Sequence, residues 1–176
     1  MMGIDESKQF IPVRIAVLTV SDTRSVDDDT SGDLLTARIE KTGHVLAARK
    51  IVRDTAKDIA AQVQEWADDP KIDAIISTGG TGLTGRDVTP ESIRPLFDKE
   101  IEGFSVIFHQ VSFQSVGLST LQSRACAGVV NNTFVFALPG SNGAVKDGWD
   151  KVIRFQLDAR HGPCNLVEIM PRLSER

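Results

Sequence analysis

The stretch Arg14-Ile-Ala-Val-Leu-Thr-Val20 is a short run of apolar residues that ends at the polar pair Ser21-Asp22. A continuous apolar run of this length is typical of a strand that is buried on both faces of a parallel sheet. A similar run, Ile72-Asp-Ala-Ile-Ile-Ser77, leads directly into a glycine-rich loop. The two runs therefore predict buried strands whose carboxyl ends carry polar loops.

Outward from these runs, strand-like and helix-like segments alternate along the chain. A further strand is predicted over 44–52, and a hairpin-like pair over 127–130 and 133–138 is predicted around Asn131-Asn132. Helices are predicted over 31–42, closed by Gly43; over 55–66, capped by Thr55; from the pair Thr89-Pro90, with Thr89 as N-cap; and over 103–114 and 142–159. This order predicts a three-layer α/β/α fold with a mostly parallel sheet and one antiparallel hairpin element. We expect a single domain over 12–170 between tails at 1–11 and 171–176.

The composition is that of a globular protein. The 176 residues include 41% apolar and 25% charged side chains, and the net charge is −4. Nucleic-acid-binding proteins are usually strongly basic, so we expect no nucleic-acid partner. The sequence has no apolar run of the roughly 18 residues needed to span a bilayer, and its first residues do not resemble a secretory signal. Two isolated cysteines suit a reducing compartment, so we expect a cytoplasmic protein without membrane contact.

Polar residues follow each predicted strand at its carboxyl end. Ser21, Asp22 and Arg24 follow the first strand, Asp54 follows the second, a loop at 78–87 follows the third, and Pro139-Gly140-Ser141 follows the last. Ligands of open α/β sheets bind outside these carboxyl ends. The four segments are therefore expected to meet at one site.

The loop Thr78-Gly-Gly-Thr-Gly-Leu-Thr-Gly-Arg-Asp87 favours an anion site, because glycines let backbone N–H groups approach a phosphate closely. Residues 80–85 match G-x-G-x-x-G, but no helix opens inside the loop, as a dinucleotide site requires. No Gly-Lys-Ser/Thr occurs, so the loop is not a Walker A motif. A tight glycine-rich turn without a ligand is the structural alternative.

Two carboxylates stand out beside this loop. Asp54 and Asp87 suit a divalent metal held next to phosphates, since Mg²⁺ is typically bound by one or two carboxylates and substrate oxygens. The alternatives are an N-cap for Asp54 and a solvated acid that caps toward Thr89 for Asp87. Arg24, Arg86 and Arg124 are candidates to neutralise phosphoryl charge.

Two other polar segments carry little chemistry. Asp27-Asp28-Asp29 is most simply a solvated loop. His161 and Cys164 are residue types that bind metals, but no second pair accompanies them, so a chance occurrence is favoured.

Six motifs together resemble the MoaB/MogA family of molybdenum cofactor biosynthesis proteins over about residues 10–165. They are Ser21-Asp-Thr-Arg24, Asp29-Thr-Ser-Gly32, Thr78-Gly-Gly-Thr-Gly82, Arg86-Asp-Val-Thr-Pro-Glu91, Leu121-Gln-Ser-Arg124 and Leu138-Pro-Gly-Ser141. The resemblance implies a molybdopterin-binding fold, assembly into trimers or hexamers, and contact with other enzymes of the pathway. It also implies Mg²⁺-dependent transfer of AMP from ATP to the terminal phosphate of molybdopterin.

The resemblance also implies roles for individual residues. Asp54 and Asp87 match the family's essential acids and would serve catalysis and hold Mg²⁺. The residues expected to bind substrate or phosphate are Ser21, Asp22, Thr78, Gly79, Gly80, Thr81, Gly82, Arg86, Ser123, Arg124, Pro139, Gly140 and Ser141. Two alternatives stay open, namely a non-catalytic protein that binds or carries molybdopterin and an unrelated nucleotide-binding protein that uses the same strand ends.

Overall fold

The computed structural model describes residues 3–175. Its strands are β1 (Gly3–Ile4), β2 (Arg14–Val20), β3 (Val45–Val52), β4 (Ala74–Thr78), β5 (Lys99–Glu100), β6 (Cys126–Val130), β7 (Thr133–Leu138) and β8 (His161–Gly162). Its α-helices are α1 (Thr30–Lys41), α2 (Ala56–Ala67), α3 (Thr89–Ile93), α4 (Glu102–Val116), α5 (Asn142–Gly148) and α6 (Arg154–Gln156). Shorter helical segments are 3₁₀ turns at Arg94–Leu96, Gly117–Gln122 and Val167–Arg172 and a π-helical turn at Trp149–Ile153.

Six strands form one mixed sheet in the order β3-β2-β4-β7-β6-β5. The four strands from β3 to β7 pair in parallel, and β6 and β5 add an antiparallel edge. At the carboxyl ends, Thr19 pairs with Thr78, which in turn pairs with Leu138. The three central strands therefore end level with one another.

Helices cover both faces of this sheet. Alternate residues of β2 face opposite ways: Ile15 and Val17 lie in a core with α1, α4 and α5, whereas Ala16 and Leu18 lie in a core with α2 and α3. Because β2 and β4 are buried on both faces, their sequences are almost continuously apolar. The predicted three-layer α/β/α fold is confirmed.

The chain reverses its direction of winding between β2 and β4. It runs outward from β2 through α1 to β3, and then returns through α2 on the other face to β4, which lies on the opposite side of β2. Such a switch point leaves a crevice at the carboxyl ends of the two strands. The loops after Val20 and Thr78 border that crevice.

Several local predictions are confirmed. The Thr55 side chain accepts a hydrogen bond from the Asp58 N–H and caps α2. Gly43 follows α1 with a φ of 87°, a backbone conformation that favours glycine. Asn131, with a φ of 53°, opens the tight turn between β6 and β7.

Two predicted helices differ from those observed. The segment 142–159 is interrupted by the π-helical turn and its last helical piece ends at Gln156, a break that the regular spacing of its apolar residues does not reveal. Val88, rather than Thr89, is the N-cap of α3. The Thr89 hydroxyl instead donates to the Gly79 carbonyl at 2.9 Å, which ties α3 to the loop after β4.

The flanking segments pack against the domain. β1 pairs with β8 in a two-stranded antiparallel sheet, and Leu173 packs against the core that contains α1. Met1, Met2 and Arg176, which belong to the predicted tails, lie outside the described residues. The domain limits at 12 and 170 stay a prediction. Within residues 3–175, no helix is long and apolar enough to cross a membrane.

Asp29 is not part of a solvated loop, as the sequence had suggested, because its side chain is fully buried. One carboxylate oxygen accepts from the Gly32 N–H and caps α1, and the other accepts from the Thr19 hydroxyl at 2.7 Å and from Arg49 at 2.9 Å. The acid thus joins β2, β3 and α1. The sequence-based reading missed it because the two preceding acids are exposed and the three look alike.

His44 lies buried at the opposite end of the sheet. Its Nδ1 accepts the Val13 N–H at 3.1 Å, and its ring packs against Phe10 and edge-on to Trp149. Burial lowers the pKa of His44 from 6.5 to about 4, opposed by the nearby Asp158 carboxylate and reinforced by Arg160. The imidazole is therefore neutral at pH 7 in the folded protein.

We expect Asp29→Asn to lower the free energy of unfolding by about 3 kcal/mol, because it places an amide N–H₂ against the Thr19 and Arg49 donors and removes the buried charge that pairs with Arg49. Urea denaturation at pH 7 measures the loss. Asp33→Asn is the matched control, since it removes the exposed partner of the same Arg49 and should cost less than about 1 kcal/mol. Equal losses in the two variants would contradict a special role for the buried acid.

The depressed pKa of His44 predicts a pH dependence of stability. As the pH falls below 6.5 the unfolded chain takes up a proton at His44, whereas the folded protein does so only near pH 4. Between pH 7 and pH 5 this difference should lower the free energy of unfolding by about 2 kcal/mol. In His44→Asn, whose amide oxygen can still accept the Val13 N–H, that part of the pH dependence should be absent. Identical pH profiles for the two proteins would show that His44 is not the group responsible.

Candidate functional site

A cleft of about 510 Å³ opens at the carboxyl ends of the central strands. One wall is the loop after β4 with Gly79, Gly80, Thr81, Gly82 and Asp87, and a second is the segment 139–144 after β7. The third wall comes from α4 and the 3₁₀ turn that follows it, including Ser112, Thr120 and Ser123. Of the strand-end segments expected to meet, those after β4 and β7 line this cleft directly.

The glycine-rich loop takes a backbone path that requires glycine at two positions. Gly79 and Gly80 have φ values of 109° and 65°, and a side chain at Gly79 would collide with the Val20 carbonyl. The Gly79 N–H donates to the Leu138 carbonyl at 2.9 Å and brings the loop beside Gly140. Thus the loops after β4 and β7 form one continuous backbone surface.

Within residues 3–175, several amides of these two loops donate no hydrogen bond to the protein. They are the N–H groups of Gly80, Thr81, Gly140 and Ser141. All four residues line the cleft. Unpaired amides at such a concave surface are typical donors to phosphate oxygens.

Arg124 holds the glycine-rich loop in place. Its guanidinium donates to the carbonyls of Gly82 at 2.8 Å and Asp87 at 2.7 Å, and its own N–H donates to the Thr81 carbonyl at 2.9 Å. It also pairs with Glu91. These contacts fix the loop backbone and leave the guanidinium committed to the protein.

Asp87 lies within the cleft at the end of the loop. One of its oxygens accepts from the Thr84 hydroxyl at 2.6 Å and from the Thr84 N–H at 2.9 Å. The Thr84 hydroxyl has the largest effect on the pKa of Asp87, which it lowers; the N–H groups of Thr84 and Gly82 and the charge of Arg124 also lower it, and partial burial opposes them. The carboxylate is therefore ionised at neutral pH, and it makes no contact with Thr89 of the kind expected of a cap.

Asp54 lies beside Gly80, with its Oδ1 3.3 Å from the position that a Gly80 side chain would occupy. Its other oxygen accepts the Asp22 N–H at 2.9 Å, while the Asp54 N–H donates to Asp22 at 3.2 Å. Thr55 caps α2, so the N-cap alternative for Asp54 is excluded. Burial and the charge of Asp87 raise the pKa of Asp54. Asp54 lies beside Gly80 and Asp87 beside Gly82, so both acids flank the same loop.

The remaining predicted residues lie around the cleft in varied roles. Asp22 pairs with Arg86, whose side chain is otherwise exposed. The Ser21 hydroxyl accepts the N–H groups of Thr23 and Arg24 and shapes the turn after β2. Arg24 donates to Ser31 at 2.6 Å and to the Gly140 carbonyl at 2.9 Å, so it braces the β7 loop from behind.

Four further predicted binding residues are Thr78, Ser123, Pro139 and Ser141. Thr78 is buried beneath the cleft and donates to the Pro139 carbonyl at 3.3 Å. Ser123 and Pro139 line the cleft directly. Ser141 does so too, and its side chain accepts the Ala144 N–H to cap α5. The structure thus brings most of the predicted binding residues to the cleft or next to it. More of them contribute backbone atoms or contacts that support the loops than contribute free side chains.

One wall of the cleft was not predicted from the sequence. Asp147 lines it and is buried, together with Ser112 and Thr120. These residues lie within predicted helical or connecting segments, where hydroxyls and an acid next to a lysine are typical of a solvent-exposed face. No pattern in the sequence marks them as functional.

Across residues 3–175, no group of three or more His, Cys, Asp or Glu side chains is placed to hold a metal alone. His161 and Cys164 do not line the cleft. Asp54 and Asp87 can offer two carboxylates to a cation that takes its other ligands from a substrate. The arrangement suits an anionic ligand held by backbone amides beside two acids.

Comparison with known proteins supports this description. Residues 16–159 match the family described as a probable molybdopterin binding domain. The chain is 48% identical over 159 residues to molybdenum cofactor biosynthesis protein B of Escherichia coli K12, covering 90% of this chain and 94% of that protein.

Solved structures give the same result. A crystal structure of a molybdenum cofactor biosynthesis protein B superposes with a TM-score of 0.86 at 34% identity, over 96% of this chain and 100% of that one. The tungsten cofactor synthesizing protein MoaB of Pyrococcus furiosus superposes with a TM-score of 0.76 at 34% identity, over 93% and 98%. The chain therefore belongs to the MoaB/MogA family of molybdenum cofactor biosynthesis proteins.

Proposed function

We propose that this protein acts in molybdenum cofactor biosynthesis as an adenylyltransferase, moving AMP from ATP to the terminal phosphate of molybdopterin. The observation that carries the proposal is the meeting of two amide-lined loops with Asp87 at one cleft, with Asp54 beside the same glycine-rich loop at Gly80. The names of the relatives support the pathway, and the family description supports the pterin ligand. Adenylyl transfer is the reaction that would use both a phosphate cradle and paired acids.

The phosphates would bind at the two loops. The free N–H groups of Gly80, Thr81, Gly140 and Ser141 would donate to phosphate oxygens, and Arg24 and Arg124 would keep those amides in position through the carbonyls that they bind. Amides fixed in this way need no reorganisation as charge develops, which is the main source of electrostatic catalysis.

Asp54 and Asp87 would hold Mg²⁺ between the protein and the phosphates. The two residues fit this ion, since one oxygen of Asp87 is oriented by Thr84. Burial and the charge of Asp87 raise the pKa of Asp54, and a bound cation would favour its ionised form. Mg²⁺ bound there would neutralise phosphate charge. The cleft needs such a cation, because its described lining contains Asp87 and Asp147 but no lysine or arginine.

In the proposed reaction an oxygen of the pterin phosphate forms a bond to the α-phosphorus of ATP. The bond between that phosphorus and the oxygen bridging to the β-phosphate breaks, and pyrophosphate leaves with the electron pair. No proton needs to be transferred. The work of the chain is therefore positioning and charge stabilisation, as in phosphoryl transfer generally.

A second candidate is a protein that binds or carries molybdopterin without turnover. The commitment of Arg124 to carbonyls within the protein favours it, because that guanidinium is not free to stabilise the transition state. The family membership removes the third possibility, an unrelated nucleotide-binding protein. An assay with ATP, Mg²⁺ and molybdopterin separates the two candidates: product and pyrophosphate support the transferase, and bound pterin without product supports the carrier.

We expect Asp87→Asn to reduce adenylyl transfer at least about 100-fold, because it removes a carboxylate from the site of charge stabilisation. Pyrophosphate release and adenylylated pterin are the quantities to measure, and chelation of Mg²⁺ with EDTA should have the same effect on the native protein.

Asp27→Asn is the matched control, since it makes the same change at an exposed acid of the loop after β2 and should leave turnover unchanged. An Asp87→Asn protein that turns over normally would show that this acid is not part of the catalytic site.

We also propose that the protein is a homo-oligomer, with trimers or hexamers as the states implied by the resemblance to the family. Half of the twelve large apolar side chains exposed within residues 3–175 lie in one segment, 102–122. This α4 apolar surface consists of Val106, Ile107, Phe113, Val116, Leu118 and Leu121. Large apolar side chains exposed together in one segment are typical of a protein interface.

The double substitution Phe113→Lys and Leu118→Lys should lower the molar mass in analytical ultracentrifugation to that of a monomer, because two charges would be buried at the proposed interface. Val26→Lys, at an equally exposed apolar side chain outside this surface, should leave the mass unchanged. An unaltered oligomer in the double variant would place the interface elsewhere.

A further inference from the structure

The end of the cleft between α4 and α5 is chemically different from the end formed by the glycine-rich loop. Asp147, on α5, lines it and is only 5% exposed. Buried carboxylates are rare in proteins unless they are paired or hydrogen-bonded. The contacts of the Asp147 carboxylate therefore show what kind of ligand could supply its missing hydrogen bonds.

The protein satisfies only one of the two carboxylate oxygens of Asp147. Oδ1 accepts from the Ser115 hydroxyl at 2.8 Å and lies 2.6 Å from the Lys151 ammonium. Oδ2 receives no hydrogen bond from the described part of the chain. An ionised carboxylate can accept about four hydrogen bonds, so this one has unused capacity.

Two threonines that line the same cleft have side-chain hydroxyls without partners. The side-chain oxygens of Thr81 and Thr120 are buried, and neither has a hydrogen-bond partner within residues 3–175. The two residues are 2% and 7% exposed. Leaving a buried hydroxyl unpaired costs about 1–3 kcal/mol, and unpaired groups of this kind often mark a ligand site.

We propose that Asp147 recognises the 2-amino-4-oxopyrimidine edge of the pterin. The 2-amino group and the N3–H of that edge are adjacent donors, and a carboxylate can accept from both at once. The 4-oxo group and ring nitrogens are acceptors for hydroxyls such as those of Thr81 and Thr120. This assignment rests on the proposed function, which makes a pterin the substrate.

The same chemistry excludes the adenine of ATP from this end of the cleft. Adenine presents one donor, its 6-amino group, beside the lone pair of N1, which a carboxylate would repel. Asp147 would therefore bind the pterin ring at the α5 end of the cleft and would not bind adenine there. The phosphates would lie at the other end, against the free amides of the glycine-rich loop. The free amides support this orientation, since they place the donors to phosphate at the glycine-rich loop.

The test compares two stable probes, 6-hydroxymethylpterin monophosphate and the corresponding lumazine, in which an oxo group replaces the 2-amino group. Isothermal titration calorimetry on the full chain should give at least about tenfold tighter binding of the pterin, since one charged hydrogen bond is lost with lumazine. In Asp147→Asn the preference should be lost or reversed, because an amide offers one acceptor and one donor, as the lumazine edge requires. ATP binding should be unchanged.

Asp150→Asn is the matched control. It makes the same change three residues further along, at an acid that pairs with Arg38 away from the cleft, and the pterin preference should persist. Equal binding of pterin and lumazine by the native protein would overturn the inference without any variant being needed. An unchanged preference in a folded Asp147→Asn protein would also overturn it.

This test is separable from that of the proposed reaction. A pterin preference that depends on Asp147 in a protein that forms no adenylylated product would refute the transferase and support the recognition. Turnover by a protein that binds both probes equally would refute the recognition alone.

Discussion

The parallel register that joins Thr19 to Thr78 and Thr78 to Leu138 is the constraint on which the site depends. Because these strands end level, the loops that follow them start from one edge, and the hydrogen bond from the Gly79 N–H to Leu138 carries the pairing one residue past the sheet. A shift of one residue would turn every buried side chain of β4 to the opposite face. The two hydrophobic cores therefore fix the position of the backbone amides as well as the stability of the domain.

The structure also explains how an acidic protein can bind an anionic ligand. A net charge of −4 and a cleft lined by two acids do not suggest a protein for anionic ligands. Backbone amides resolve this contradiction, since they attract phosphate without adding formal charge. Arg24 and Arg124 act indirectly, because they donate to carbonyls of the loops that carry these amides and hold the loops in place.

The sequence was sufficient to predict the layers, the hairpin and the gathering of strand ends, because each depends on local signals such as the apolar run at 14–20 and the turn at Asn131-Asn132. It was not sufficient for Asp29 or Asp147, whose burial depends on partners that are distant in sequence or on the packing of whole helices. The same limit applies to Thr89, which has the residue type of an N-cap but donates to Gly79 instead. Side-chain roles decided by tertiary contact have no signature in a single sequence.

Arg124 makes its contacts with the glycine-rich loop entirely through main-chain atoms, at Thr81, Gly82 and Asp87. The path of the loop is thus specified by Arg124 and Thr89 outside it, by the contacts of Thr84 with Asp87 and by glycine at two positions, and not by the side chains at 83 or 85. Those positions are free to diverge between relatives while the amides stay in place. The backbone path of the loop and its exposed side chains can therefore evolve separately. Members of the family could bind different ligands while the backbone amides keep the same positions.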